Sequence, residues 1–208
     1  MTKHRSPEER IKEILEAAKL EISENGYANL TIDAIASRAG LSKGSIYRFY
    51  SNKRDIALAL FDGIYSEYAK IDYDEIIKLN LSPWESLFTA IMTAHLRDES
   101  YLTNQNIWLQ ILPETVNDEE FRKIKKEHLD NIEKRTIEAL RIILKKSGMQ
   151  LLPEGELDIQ RAFYTSNMLL EGMIIEELSG TPLEDLAEQV KWYLETIIKK
   201  NIENIPGD

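Results

Sequence analysis

The stretch TIDAIASRAGLSKGSIYRFYSNKRDI, residues 31–56, decides the fold of this chain and differs from it in charge. The 208-residue chain is acidic, with a formal net charge of −10. Residues 31–54, however, contain one acid, Asp33, and five cations: Arg38, Lys43, Arg48, Lys53 and Arg54. An acidic surface repels nucleic acid, so residues 31–54, which we call the basic island, are the one segment that the charge pattern favours for contact with a polyanion.

The segment predicts two short helices joined by a tight turn. Gly40 can take the positive φ that such a turn requires. Ser42 is a good N-cap for a second helix over 43–50, and Leu41 with Ile46 forms a hydrophobic staple across that cap. The second helix has little core-like character beyond Ile46, so its neighbours must hold it while its other side faces outward. This arrangement is typical of a helix-turn-helix.

The polar residues of the segment favour DNA as its ligand. Lys43 is expected at the start of one helix, and Lys53 and Arg54 at the start of the next, after Asn52 as cap. A cation at the start of a helix is unfavourable because it opposes the helix dipole. Together with the free backbone N–H groups at that end, however, it can bind a phosphate. Small residues permit close approach and aromatic or cationic ones give reach: Gly44, Ser45, Tyr47, Arg48 and Tyr50. Taken singly, each tyrosine could pack inward and each cation could lie in solvent; the set favours DNA.

This segment resembles the DNA-binding region of TetR-type transcriptional repressors. Their pattern is roughly T-x-x-x-I-A-x-x-A-G-V-S-x-G-x-x-Y-x-[HY]-F-x-x-K-x-x-L. Leu41 replaces the usual valine and Tyr50 the usual phenylalanine. The resemblance extends from Ile11 to about Phe61, and the matching residues are Thr31, Ile35, Ala36, Ala39, Gly40, Ser42, Gly44, Tyr47 and Lys53.

The resemblance implies roles for particular positions. Thr31, as a helix cap, would touch a phosphate, and Tyr47 and Lys53 would grip the backbone on either side. Phe49 stands where the family often has a histidine or tyrosine that contacts phosphate. Phenylalanine cannot donate a hydrogen bond, which leaves Arg48 as the candidate to replace that contact. The residues implied to face the major groove or its rim are Ser42, Lys43 and Ser45.

The rest of the chain predicts helices, so the fold class is all-α. Hydroxyl-proline-glutamate motifs predict helix starts at SPEE, SPWE and TPLE, beginning with Ser6, Ser82 and Thr181. Three of the expected helices begin at these motifs, near 7–25, 83–97 and 182–201, and others are expected near 53–70, 101–112, 118–147 and 156–179. We expect a DNA-binding helix-turn-helix domain of three helices over residues 1–52. Residues 53–208 would form a helical effector-binding and dimerisation domain.

The last two predicted helices carry much apolar surface, and the helix over 156–179 has apolar residues over most of its girth, which calls for burial on two sides. They could be core helices of one subunit. The resemblance instead favours a four-helix interface between two copies, and a homodimer would read two half-sites of a palindromic operator. The residues predicted at this interface are Phe163, Leu170, Ile174, Leu186, Val190, Leu194 and Ile197.

Polar residues interrupt the apolar stripes of the middle helices. Each could be a satisfied core group or lie at the rim of the core. Together they predict an apolar cavity with polar anchors for a small, largely apolar effector. The apolar candidates are Trp84, Phe88, Trp108, Ile111, Phe121 and Met173, and the polar ones are His95, Asn104, His128 and Asn167.

Other classes of protein find less support. The chain has no cysteine, its three histidines are dispersed, and it contains no phosphate loop or nucleophile motif, so we expect no enzyme, metal or cofactor. No signal peptide or membrane-spanning run is evident, which predicts a cytoplasmic protein without membrane contact. A helical adaptor or ligand carrier that does not bind DNA specifically is the alternative. We predict a ligand-responsive transcriptional regulator that represses from a palindromic operator and is released by a small molecule; activation stays open because the sequence does not set the sign of regulation.

Overall fold

The computed structural model describes residues 5–95 and 101–205. It is helical almost throughout, which confirms the all-α prediction and the N-terminal helix-turn-helix. Within 5–95 and 101–205, no helix has the length and apolar character needed to cross a membrane. In chain order the helices are α1 (Pro7–Asn25), α2 (Ile32–Ala39), α3 (Lys43–Tyr47), α4 (Lys53–Tyr68), α5 (Tyr73–Lys78), α6 (Pro83–His95), α7 (Tyr101–Ile111), α8 (Glu114–Asn117), α9 (Glu119–Lys146), α10 (Gly155–Leu178) and α11 (Leu183–Lys200).

The chain forms two compact units. Unit 1 contains the described parts of Met1–Ser66 and Leu102–Lys126, and unit 2 those of Glu67–Tyr101 and Glu127–Asp208. Helices α1 to α3 and nearly all of α4 therefore share a unit with α7, α8 and the start of α9. The prediction of a DNA-binding domain over 1–52 concerns function rather than compactness, and this division does not test it.

Two of the three predicted helix starts form as expected. At α1 the Glu9 N–H donates to Ser6 Oγ (3.2 Å), and the Ser6 N–H donates back to the Glu9 carboxylate (2.8 Å). Ser82 and Glu85 make the same reciprocal pair at α6. At the third, α11 begins at Leu183, close to the expected position, but the predicted cap by Thr181 is wrong. Thr181 donates to Glu176 (3.0 Å), and α11 begins without a side-chain cap because the threonine hydroxyl is turned back to the preceding helix.

The core of unit 1 is built from the apolar faces that the sequence indicates. Ile14 and Ile22 of α1, Ile35 of α2 and Ile46 of α3 are fully buried. Phe61 of α4 is also fully buried and packs edge-on against Tyr65 (centroids 5.0 Å apart). Each of the first four helices thus buries apolar side chains, and buried Ile46 anchors the short helix α3.

The core of unit 2 brings α6, α9, α10 and α11 together. Its buried residues include Leu87, Leu140, Met173 and Leu194. Two three-residue strands, β1 (Met149–Leu151) and β2 (Ile202–Asn204), pair antiparallel, with Gln150 opposite Glu203. The sequence shows no sustained alternation, and the strands escape such a search because three residues are too few to display a period of two.

Candidate nucleic-acid interface

The turn between α2 and α3 has the geometry that its sequence predicts. Gly40 has a φ of 64° and a ψ of 34°, in the left-handed region that favours glycine. The Leu41 N–H donates to Ala36 O (2.9 Å), so the turn closes the end of α2. Ser42 then caps α3, its Oγ accepting from the Ser45 N–H (3.2 Å). The turn thus aligns α3 against α2 through backbone geometry and short-range caps.

Helix α3 presents a polar face over one buried anchor. Ile46 is the residue of α3 that is buried, whereas Lys43 and Gly44 are exposed and Tyr47 is 54% exposed. Arg48 follows on the exposed side. The helix ends at Tyr47, three residues earlier than expected. It is nevertheless presented outward, as reading a groove requires.

The flanking polar residues are partly engaged. Ser45 is half-buried, and its Oγ lies 2.9 Å from Ser42 Oγ. Tyr50 is half-buried, and this burial raises the pKa of its hydroxyl. Thr31 caps α2 by accepting from the Ala34 N–H (3.1 Å), and Asn52 caps α4 in the same way for the Asp55 N–H (3.0 Å). Both predicted caps are therefore present, and they hold the starts of α2 and α4 at the surface.

Several cations of the segment have partners within unit 1. Lys43 Nζ lies 2.6 Å from Asp33 Oδ1, and this hydrogen bond raises the pKa of the lysine. Arg38 Nε donates to Glu21 of α1 (2.8 Å). Lys53 Nζ donates to Ala28 O (3.2 Å). The positive charge of the basic island is thus partly balanced by acids of the same unit, and the sequence spacing does not reveal these partners.

Arg54 contacts two acids near the start of α9. Its guanidinium donates to both carboxylate oxygens of Asp118 (2.5 and 2.8 Å) and to Glu120 (2.9 Å). The hydrogen bonds from Arg54 lower the pKa of Asp118 to about 2. The expectation that Arg54 belongs to a phosphate cradle is therefore corrected, because the side chain ties the start of α4 to the start of α9.

Four of the predicted effector residues lie in unit 1. Trp108 is buried on α7, and its Nε1 donates to Tyr65 OH on α4 (3.2 Å). Phe121 of α9 is fully buried and meets Phe61 of α4 edge-on, with centroids 5.4 Å apart. The other two are Ile111, which is fully buried, and Asn104, which is half-buried. Two of these residues thus touch α4 directly.

Five other effector candidates have described side chains in unit 2. Lysines of α11 cover two of them: Lys199 Nζ is 4.6 Å from the ring centroid of Trp84, and Lys191 Nζ is 5.9 Å from that of Phe88. Asn167 donates to its own helix at Phe163 O (2.9 Å). Met173 is buried and His128 is half-buried. His95 is the last residue of α6, and its side chain lies outside the described part of the chain. The predicted set is thus divided between two units.

Sequence reasoning missed Ser166 as a polar candidate. Its side chain is 3% exposed, and among the described residues its Oγ has no hydrogen-bond partner. Ser166 lies on the stripe of α10 that also carries Ala162, Leu170 and Met173. The sequence shows a hydroxyl within this apolar stripe, so Ser166 could have been singled out from the pattern alone. A buried oxygen without a partner is uncommon and marks a position where a ligand group could bond.

Four of the seven predicted dimer residues need correction. Leu170, Ile174, Val190 and Leu194 are buried within the protomer, at 8% exposure or less. Leu170, Val190 and Leu194 belong to its core cluster, so a partner cannot cover them. Phe163, Leu186 and Ile197 are half-buried. The exposed apolar residues of these helices are different ones: Leu157, Tyr164, Met168, Leu169, Ile175 and Leu178 on α10 and Trp192 on α11.

Comparison with known proteins agrees with this architecture. The model for bacterial regulatory proteins of the tetR family matches residues 14–60. Over 49 residues the chain is 43% identical to the fatty acid metabolism regulator protein of Bacillus subtilis (strain 168), covering 24% of this chain and 25% of that protein. The chain thus matches about a quarter of the length of this relative.

Solved structures extend the likeness to the whole fold. A transcriptional regulator from Rhodococcus sp. RHA1 has a TM-score of 0.70 at 15% identity, over 92% of this chain and 97% of its own. SmeT, the repressor of the Stenotrophomonas maltophilia multidrug efflux pump SmeDEF, has a TM-score of 0.63 at 17% identity, over 95% and 96% of the two chains. SmeT is also known as a complex with triclosan, with 96% and 98% covered. Because the identity is so low, these structures establish the fold alone.

Proposed function

Starting from the membership of this chain in the TetR family of bacterial regulatory proteins, we propose that it is a repressor that binds a palindromic operator as a homodimer and is released by a small molecule. The family is one of transcriptional regulators, not of enzymes. The observation that carries the proposal is helix α3, which is anchored by buried Ile46 and presents Lys43, Gly44 and Tyr47 outward.

The DNA contacts divide into backbone and base contacts. Thr31, Tyr47, Arg48 and Lys53 would hold phosphates, and Tyr50 would support them from the half-buried side. The Lys53 ammonium uses one donor on Ala28 O and has two more, so it can still bond a phosphate. The residues for the major groove or its rim are Ser42, Lys43, Gly44 and Ser45. We accordingly keep residues 1–52 as the DNA-binding region and 53–208 as the effector-binding and dimerisation region.

The homodimer would form through the exposed stripe of α10. Leu157, Tyr164, Met168 and Ile175 follow one another at spacings of seven, four and seven residues, so they share one side of the helix. The buried stripe of Leu170 and its neighbours lies on the other side. An apolar stripe of this kind, left exposed by the protomer, suits a second copy of the helix. Trp192 of α11, 69% exposed, would extend the same interface.

The effector would act through α4. This helix begins at Lys53, which we assign to the DNA backbone, and carries Phe61 and Tyr65 against two of the effector candidates, Phe121 and Trp108. A ligand that reorients those aromatic rings would shift α4 and with it the DNA-binding residues. The ligand must prefer one arrangement, because equal binding to both shifts nothing. The triclosan complex of SmeT supports a largely apolar ligand.

The proposal is tested by selecting duplexes from a random pool with the purified full-length chain. We expect an inverted repeat whose half-sites are centred about one helical turn or a multiple apart. Binding should weaken steeply with salt because phosphate contacts release counterions. A chain that enriches no sequence would exclude the regulator and favour a helical adaptor or ligand carrier.

The effector part of the proposal is tested separately. Apolar compounds are screened for those that raise the melting temperature, and operator affinity is then measured with and without each one. Thermodynamic linkage requires DNA to weaken the binding of the compound by the factor by which the compound weakens DNA binding. A tight ligand that leaves operator affinity unchanged would remove the regulatory role and keep DNA binding.

A further inference from the structure

Asp33 is an acid on the surface that we assign to DNA. It is the second residue of α2, and its Oδ1 lies 2.6 Å from the Nζ of Lys43, the first residue of α3. Both side chains are largely exposed, at 64% for Asp33 and 59% for Lys43. The carboxylate is therefore beside the start of the helix that would enter the major groove.

The folded state gains little from this pair. Water and salt screen an exposed ion pair, and holding two flexible side chains together costs entropy. Lys43 also stands at the positive end of α3, where a cation is unfavourable. An acid on a phosphate-binding surface is repelled by DNA unless it accepts a hydrogen bond there. Asp33 lies in the first turn of α2, where the helix dipole favours an acid, but this accounts for an acid at α2 and not for its contact with Lys43.

The chemistry of base pairs offers a use for both groups. In the major groove a carboxylate accepts from the N4 amino group of cytosine, and a lysine donates to O6 and N7 of guanine. These are the two edges of a single G·C pair. Two side chains whose charged atoms lie 2.6 Å apart can contact neighbouring edges without rearrangement of the backbone.

We infer that Asp33 and Lys43 together read one G·C base pair in each half-site, Asp33 accepting from cytosine and Lys43 donating to guanine. The inference rests on the DNA-binding function proposed above and adds Asp33 as a specificity-determining residue. In the free protein the same pairing holds the lysine away from phosphates of unrelated DNA. Asp33 thus favours the operator and disfavours other duplexes.

The test compares Asp33→Ala and Asp33→Asn with Glu16→Gln in the full-length chain. Glu16 lies exposed on α1, where it pairs with Lys19 (3.6 Å), so the control removes the same charge away from α3. Duplex selection should recover the same motif with the wild type and Glu16→Gln. Asparagine keeps an amide oxygen that can accept from cytosine, whereas alanine removes the acceptor. With Asp33→Ala, discrimination at one G·C pair of each half-site should fall about 5- to 150-fold, the range of one good base contact.

A salt titration on an unrelated duplex tests the second effect. Asp33→Asn frees Lys43 for one more phosphate, so its log–log salt slope should steepen by about 0.9 per protomer relative to Glu16→Gln. Equal slopes for the two variants would show that Asp33 does not hold the lysine back.

The outcomes separate this inference from the proposed function. If the wild type selects an operator and Asp33→Ala selects it with equal discrimination, the inference that Asp33 and Lys43 read a G·C pair is wrong and the regulator stands. If the wild type selects nothing, both fail. Lys43→Ala, made alone and together with Asp33→Ala, should show non-additive losses at the same base pair. Additive losses at different base pairs would also overturn the joint reading.

Discussion

Gly44→Ala separates the needs of the fold from the needs of DNA binding. Gly44 is exposed on α3, and a Cβ built there would have Ser42 Oγ as its nearest heavy atom, at 3.9 Å. That is an ordinary van der Waals distance, and Gly44 is not in the left-handed region. Alanine is favoured over glycine in helices by about 0.5–1 kcal/mol. We therefore expect the melting temperature to stay level or rise by about 2–4 °C.

The operator should respond in the opposite direction. The added methyl group projects from the face that we place in the major groove, where close approach leaves it no room. Forcing a methyl group into a packed interface costs about 1–3 kcal/mol. A dimer presents the group twice, so operator affinity should fall by about 2–6 kcal/mol, or at least roughly 30-fold.

Gly63→Ala is the matched control for this substitution. Gly63 is an exposed helical residue of α4, and a Cβ there would meet no heavy atom within 4 Å. Melting curves and fluorescence anisotropy with a selected operator, at one salt concentration, give both quantities for each variant. Unchanged operator affinity in Gly44→Ala, or an equal loss in Gly63→Ala, would show that α3 does not approach DNA through this face.

Three further predictions concern the interface, the tie at α4 and the buried hydroxyl. Met168→Glu should yield folded monomers in sedimentation because Met168 is 64% exposed. Leu170→Glu should instead lose the fold because it buries a charge in the protomer core. Folded dimers of Met168→Glu would place the interface elsewhere. Arg54 lowers the pKa of Asp118 from 3.8 to about 2, so the ion pair stabilises the fold above pH 3.8 and loses this effect as the pH falls through about 2. Asp118→Asn should therefore remove this part of the acid dependence of the melting temperature. An unchanged pH profile between about pH 2 and 5 would contradict a stabilising contact between Arg54 and Asp118. Ser166→Ala should leave stability unchanged or raise it by about 1 kcal/mol, since it removes a buried hydroxyl without a partner, and a clear loss in denaturant unfolding would show that the hydroxyl is bonded.

The sequence by itself determined the features that depend on a few neighbouring residues. The turn at Gly40, the caps at Ser6, Ser42 and Asn52 and the burial of Ile46 follow from spacings of one to four residues. Such signals are local because a helix turn and its cap are completed within one turn of chain. For the same reason the helix-turn-helix could be predicted without knowledge of the rest of the fold.

The tertiary structure decided which residues meet across long stretches of chain. Arg54 is tied to Asp118, 64 positions away, and no spacing rule connects them. Periodicity showed that α10 is apolar on two sides, but a helix period is the same for a stripe that faces its own core and one that faces a partner. Leu170, which the sequence predicts at the dimer interface, is buried within the protomer, whereas Met168 on the other side of α10 is exposed. Only the packing of α10 against other helices distinguishes the two stripes, because burial depends on neighbours that local sequence does not specify.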